Sequence, residues 1–126
     1  MKTIDVPPVT GPGFAADAEL DDRAVRVQLR GTADIPAKKQ LDEFIARLHR
    51  QAVLAGVSQV IVDFMKLDFM NSSCLKTMVS WIMDVRELPA GSQYRICFRS
   101  NRDILWQRRS LNALKCFADN IVTIEA

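Results

Sequence analysis

Val60-Ile61-Val62-Asp63-Phe64-Met65-Lys66-Leu67-Asp68-Phe69-Met70-Asn71-Ser72-Ser73-Cys74-Leu75 decides the fold of this chain. The run from Gln59 to Phe64 is apolar without alternation until Asp63, which predicts a central strand covered on both faces. From Leu75 to Val85 the apolar residues fall at helical spacing. Between the two lie Asn71, Ser72 and Ser73. Their side-chain oxygens can accept bonds from the unpaired N–H groups of a first helical turn. The stretch therefore reads as strand, short connection, then a helix beginning at the serines. Leu75, Met78, Val79, Ile82 and Val85 form its stripe, widened by Cys74 and Trp81, and Leu88-Pro89-Ala90-Gly91 stops it.

Upstream, Ala24 to Arg30 alternates Val25, Val27 and Leu29 with Arg26, Gln28 and Arg30, a strand with one buried and one wet face. Phe14 to Leu20 is a weaker strand, turned back by Asp21-Asp22. Gly31-Thr32-Ala33-Asp34 breaks the pattern, and Pro36 suits a first helical turn. Leu41, Phe44, Ile45, Leu48 and Ala52 then mark a helix from Ala37 to Val53, ended by Ala55-Gly56. Downstream, Tyr94 to Phe98 reads as a strand. Ile104 to Ala118 reads as a helix with Leu111, Leu114 and Phe117 inside, and Ile121 to Ile124 as a closing strand. Strands alternating with helices imply right-handed crossovers and a single α/β domain, its central sheet mixed, mainly parallel and flanked by helices. Residues 1–13, with Pro7-Pro8, Gly11, Pro12 and Gly13, are expected to be a flexible N-terminal segment without a regular element; the domain is expected over 14–126.

The chain has 126 residues, of which 48% are apolar, as one globular core requires. A formal charge of +2 makes no case for nucleic acid. No apolar run approaches the roughly 20 residues that span a bilayer, and Met1 to Pro8 lacks a signal-peptide core. Cys74, Cys97 and Cys116 are an odd, widely spaced set, which argues for reduced thiols in the cytoplasm rather than a disulfide framework or a zinc site. No cofactor motif, phosphate loop or paired catalytic carboxylates are visible, so neither a cofactor nor a metal is expected.

Residues 60–75 resemble the signature of the STAS domain, named for sulfate transporters and anti-sigma factor antagonists. That signature runs from an apolar strand to an Asp, then an apolar-Asp-apolar-apolar step, then Asp-Ser-Ser-Gly-Leu. Asp63, Asp68-Phe69-Met70 and Asn71-Ser72-Ser73-Cys74-Leu75 fall on it without a gap. Gly31 to Asp34 looks like a second family feature, a glycine followed three residues later by an acid. Asn71 stands where the family has an acid, and Cys74 where it has glycine. The resemblance covers about residues 15 to 125 and implies a non-enzymatic signalling module that works by partner switching. The implied partners are a serine kinase that is also the anti-sigma factor, and a phosphatase. Ser72 is the implied phosphorylation site, with Ser73 its second-ranked neighbour. Asp34, Asn71, Ser72, Ser73 and Cys74 are the implied partner-binding residues.

The serines can simply cap a helix, Asp34 can be a turn residue, and Asp63 can bond only nearby backbone. Cys74 at a helix start is either a thiol of depressed pKa or a small, half-buried filler. His49 is expected on the polar side of its helix, in solvent. Trp81 is expected at the core edge, and Trp106 in an exposed contact. The basic run Arg95, Arg99, Arg102, Arg108, Arg109 and Lys115 reads as a solvated face or a site for an acidic partner. Two other functions stay open: a STAS subunit of a membrane lipid or anion transport complex, and a small Ser or Cys hydrolase using His49 as base. Monomer and homodimer are both open.

Overall fold

A computed structural model describes residues 4–125. Among them are six strands and three α-helices: β1 Val9–Thr10, β2 Phe14–Asp21, β3 Ala24–Ala33, α1 Lys38–Ala55, β4 Gln59–Met70, α2 Ser72–Arg86, β5 Arg95–Arg99, α3 Leu105–Lys115 and β6 Val122–Glu125. The strands lie side by side in chain order. β1–β2 and β2–β3 pair antiparallel; β3–β4, β4–β5 and β5–β6 pair parallel, each across a helix. The mixed, mainly parallel sheet is the one expected.

The β2–β3 hairpin turns at Asp22, whose φ of 57° a short polar side chain tolerates. α1 buries Leu41, Phe44, Ile45, Leu48 and Ala52, the stripe its period implies, and stops at left-handed Gly56.

Four expectations need correction. First, the sheet is covered on one face only. Val25, Val27, Leu29, Val60, Val62, Phe64, Ile96 and Phe98 join one core with the helices. The residues between them, including Arg26, Gln28, Ile61, Asp63, Cys97 and Arg99, are half-buried or exposed. Ile61 made β4 look two-sided because a β-branched residue suits either face of a strand. Second, residues 4–13 do contribute a regular element. Val9 pairs with Ala16 and Thr10 with Ala15. Val6 is buried, and Arg47 grips Asp5 at 2.6 Å. An edge strand tolerates prolines beside it because its outer N–H groups need no partner. Residues 1–3 lie outside the described residues.

Third, β4 does not end at Phe64 but runs to Met70. Pairing with β5 stops at Asp63. Side chains then replace the lost ladder. Asn101 Nδ2 donates to the Met65 carbonyl at 3.0 Å, Gln107 Nε2 to those of Phe64 and Leu67 at 2.7 and 2.8 Å, and Trp106 Nε1 to that of Asp68 at 2.6 Å. On the other edge β3 follows through two register shifts, ending with Ala33 against Met70. Fourth, α3 is shorter than expected. Phe117 is 45% exposed, and Gln107 is 0% exposed in the core.

Gly31 sits at one register shift with φ +88°. A Cβ there would lie 2.3 Å from the Gly13 carbonyl oxygen. Gly31→Ala should therefore lower unfolding free energy by about 2–4 kcal/mol, from left-handed strain plus displacement of the 11–13 loop. Denaturant titration checks this, and a loss near zero would mean that the loop moves freely.

Candidate functional site

The end of β3 and the end of β4 meet through the Asn71 amide, which donates to the Ala33 carbonyl at 2.9 Å. Asn71 is the N-cap of α2. Its Oδ1 accepts from Cys74 N at 2.8 Å, and its Nδ2 donates to Asp34 Oδ1 at 3.0 Å. Asp34 in turn caps the short 3-10 turn Ile35–Ala37, accepting from Ile35 N at 2.8 Å. The two loops that carry Asp34 and the serines are thus tied by a side-chain bond between Asn71 and Asp34.

A helix start leaves its first four N–H groups without helical partners. Here Asn71 N–H goes to Ala33 and Cys74 N–H to the Asn71 side chain. Among the described residues those of Ser72 and Ser73 have no partner and remain for solvent or an anion. Both serines are exposed in the first turn of α2, at the positive end of the helix dipole, with Lys76 exposed one turn on.

Asp34, Asn71, Ser72 and Ser73 are therefore brought together at the surface. Cys74 is not: its side chain is fully buried. Burial pushes its thiol pKa up, only partly offset by the Lys38 charge, with Asp42 and Asp34 adding to the rise. That removes the reactive-thiol reading and the side-chain contact with a partner. Cys74 shares a helical face with Met78 and Trp81, which is why it points inward. Behind it, Thr77 bonds Asp42, and Lys38 Nζ lies 2.6 Å from Asp42 Oδ2, joining α1 to α2. Burial opposes ionisation of Asp42, yet the bonds from Lys38 and Thr77 and the Lys38 charge hold its carboxyl below the usual range.

Asp63 lies away from this site, on the open sheet face. Its Oδ1 accepts from Met65 N at 2.8 Å, and its Oδ2 is 3.8 Å from Arg99. The basic run is divided, with Arg95 and Arg99 on β5 and Arg108, Arg109 and Lys115 on α3. Trp106, expected in an exposed contact, is half-buried against Phe64 with its N–H spent on Asp68. Trp81 is fully buried rather than at the core edge. What the sequence reading missed is a set of exposed apolar side chains at this same end, where β3 and β4 finish. Ile35 is 77% exposed and Leu105 86%, with Phe69 and Met65 partly so. Their only signal was an apolar residue beside a cap or turn.

His49 is half-buried, not solvated. Trp81 Nε1 donates to the Tyr94 hydroxyl at 2.7 Å, and that hydroxyl lies 2.6 Å from His49 Nδ1. In the neutral tautomer with its proton on Nε2, His49 Nδ1 accepts from the Tyr94 hydroxyl. His49 makes no hydrogen bond to Ser72 or Cys74. Burial lowers its pKa below the ordinary 6.5, opposed by the Asp84 charge. The unfolded chain takes up a proton near that pH which the folded chain resists. Stability is therefore full above pH 6.5 and falls as pH drops through it. His49 is the sole histidine, so in His49→Gln the stability slope between about pH 7 and 5 should flatten. An unchanged slope in denaturant titrations would count against this assignment.

No family model matches the sequence, and no curated protein sequence matches it. Solved structures do match. An anti-sigma factor antagonist from Mycobacterium paratuberculosis superposes with a TM-score of 0.63 at 15% identity, over 93% of this chain and 90% of that one. The anti-sigma factor antagonist SpoIIAA in its unphosphorylated form gives 0.57 at 18%, over 89% of each. The Bacillus cell fate determinant SpoIIAA in the phosphorylated form gives 0.55 at 23%, over 89% and 92%. The likeness is one of fold: this chain has the STAS-like fold of the anti-sigma factor antagonists. Among the described residues no helix is long and apolar enough to cross a membrane.

Proposed function

We propose that this chain is a cytoplasmic, non-enzymatic protein-binding module of the anti-sigma factor antagonist kind, switched by phosphorylation of Ser72. Its partners are a serine kinase that serves as the anti-sigma factor and a phosphatase that resets the switch. The observation that carries this is the exposed Ser72 hydroxyl in the first turn of α2, beside two uncommitted N–H groups. A phosphate there would add about −1.5 to −2 charge at neutral pH. The open N–H groups and Lys76 are suited to receive it without disturbing the core. The surface around it exposes Ile35 and Phe69 and is tied together by the bond between Asn71 and Asp34. The likeness to SpoIIAA, solved in both phosphorylated and unphosphorylated forms, supports the same reading.

Asn71 replaces an acid and changes how the switch is built. An acid at 71 would stand against the Asp34 carboxylate, whereas the Asn71 amide donates to it. Phosphosite mass spectrometry of the protein taken from its native cell should place phosphate on Ser72. Phosphate confined to Ser73, or none across growth conditions, would overturn the assignment.

A further inference from the structure

The chemistry of the partner is narrowed by a cavity beside Asp34. It has a volume of about 300 Å³ and lies between the loop at Gly11–Gly13 and the start of α1. Phe14 and Ala37, both buried, line it together with Pro12 and Pro36, and Thr32 and Gln40 stand at its polar rim. Ligand clefts run from about 300 to 1,000 Å³, so this one takes a single side chain rather than a cofactor.

The cavity is preformed. Thr32 N donates to the Gly13 carbonyl at 2.7 Å, and Gly11 N to that of Phe14 at 2.9 Å. Gly31, lacking a Cβ, lets the loop come this close. The glycine and the acid of the Gly31–Asp34 stretch thus have one joint product, an apolar hole with a carboxylate at its edge. Asp34 Oδ1 is occupied by Ile35 N and Asn71 Nδ2. Among the described residues Asp34 Oδ2 has neither a hydrogen bond nor an ion pair. A negative rim disfavours phosphates and anionic lipid headgroups, and favours a cation joined to an apolar group.

We infer that the partner reading the Ser72 surface anchors itself here, with one Leu, Met or Phe side chain in this cavity and a nearby Lys or Arg on Asp34 Oδ2. The inference rests on the docking role given to that surface above, and specifies which chemistry docks. Exposed Ile35, next to Asp34, extends the apolar contact.

The test is selection of random displayed peptides on the wild-type chain, followed by titration of the consensus peptide. Enriched sequences should pair an apolar residue with Lys or Arg within a few positions. Gln40→Trp, on an exposed helical position, covers the cavity and should weaken the peptide about 30-fold or more. Asp34→Asn keeps both Oδ1 bonds but loses the charge, and should cost about fivefold. Amide NMR shifts should gather at Gly11, Gly13 and Thr32. No enrichment, a consensus without that pairing, or equal binding to Gln40→Trp overturns the inference. Ser72→Asp is measured in parallel. If it abolishes binding while Gln40→Trp does not, the cavity is not the anchor and the switch stands. The reverse result keeps the anchor and removes the switch.

Discussion

Ser72→Asp is expected to weaken binding of the kinase-type partner by 100-fold or more, a loss of about 3 kcal/mol. Ser72→Ala is expected to bind constitutively. The difference arises because the site is surface, not core. Ser72 is exposed, and no buried group depends on its hydroxyl. A carboxylate at this position lies at the positive end of α2 and should leave the fold unharmed, or stabilise it by about 0.3–1 kcal/mol. Thermal stability and binding should therefore move in opposite directions in Ser72→Asp. That split separates a switch from a damaged domain. Calorimetric titration against the partner co-purified with the wild type provides the measurement. If both variants bind like wild type, Ser72 is not the switch; if Ser72→Asp also unfolds early, the hydroxyl has a structural role instead.

The parts of this site that were legible in the sequence are those written in local chemistry. Asn71 before two serines, after an apolar run, announced a capped helix start, and the cap is where the spacing put it. The alternation in β3 and the period of α1 were equally plain. Long-range satisfaction was not legible. Met65 to Met70 looked like a connection because the apolar run is broken at Asp63; its burial departs from alternation where β5 stops pairing, with only Leu67 and Met70 buried. What keeps that segment extended is donated by Asn101, Trp106 and Gln107, from a helix start far along the chain. His49 was misjudged for the same reason: its partner, Tyr94, is 45 residues away. Cys74 is different. Its place on the Met78 and Trp81 face was legible in the helical period, which set it in the apolar stripe; only the resemblance listed it among the partner-binding residues.

Gln107 is where this dependence can be measured, and Gln107→Met should reduce unfolding free energy by about 3–5 kcal/mol. The side chain is 0% exposed and fully used. Nε2 donates to the carbonyls of Phe64 and Leu67 at 2.7 and 2.8 Å, while Oε1 accepts from Asn101 N at 2.8 Å. Methionine keeps the volume and restores apolar contact, so no cavity forms and the transfer of the side chain itself is favourable. Against that stand two buried carbonyls and one amide left without partners, at about 1–3 kcal/mol each. The polar loss exceeds the apolar gain unless water enters. Gln107→Glu should do no better, since a carboxylate can accept from Asn101 but cannot donate to either carbonyl. The damage should also travel. Phe64 to Met70 is the strand that delivers Asn71 to the start of α2, so amide exchange should quicken over residues 65–71 before it does in β3 or α1. A stability loss below about 1 kcal/mol in denaturant titration would show that water satisfies the freed carbonyls, and that the serine-bearing turn is held by β3 alone.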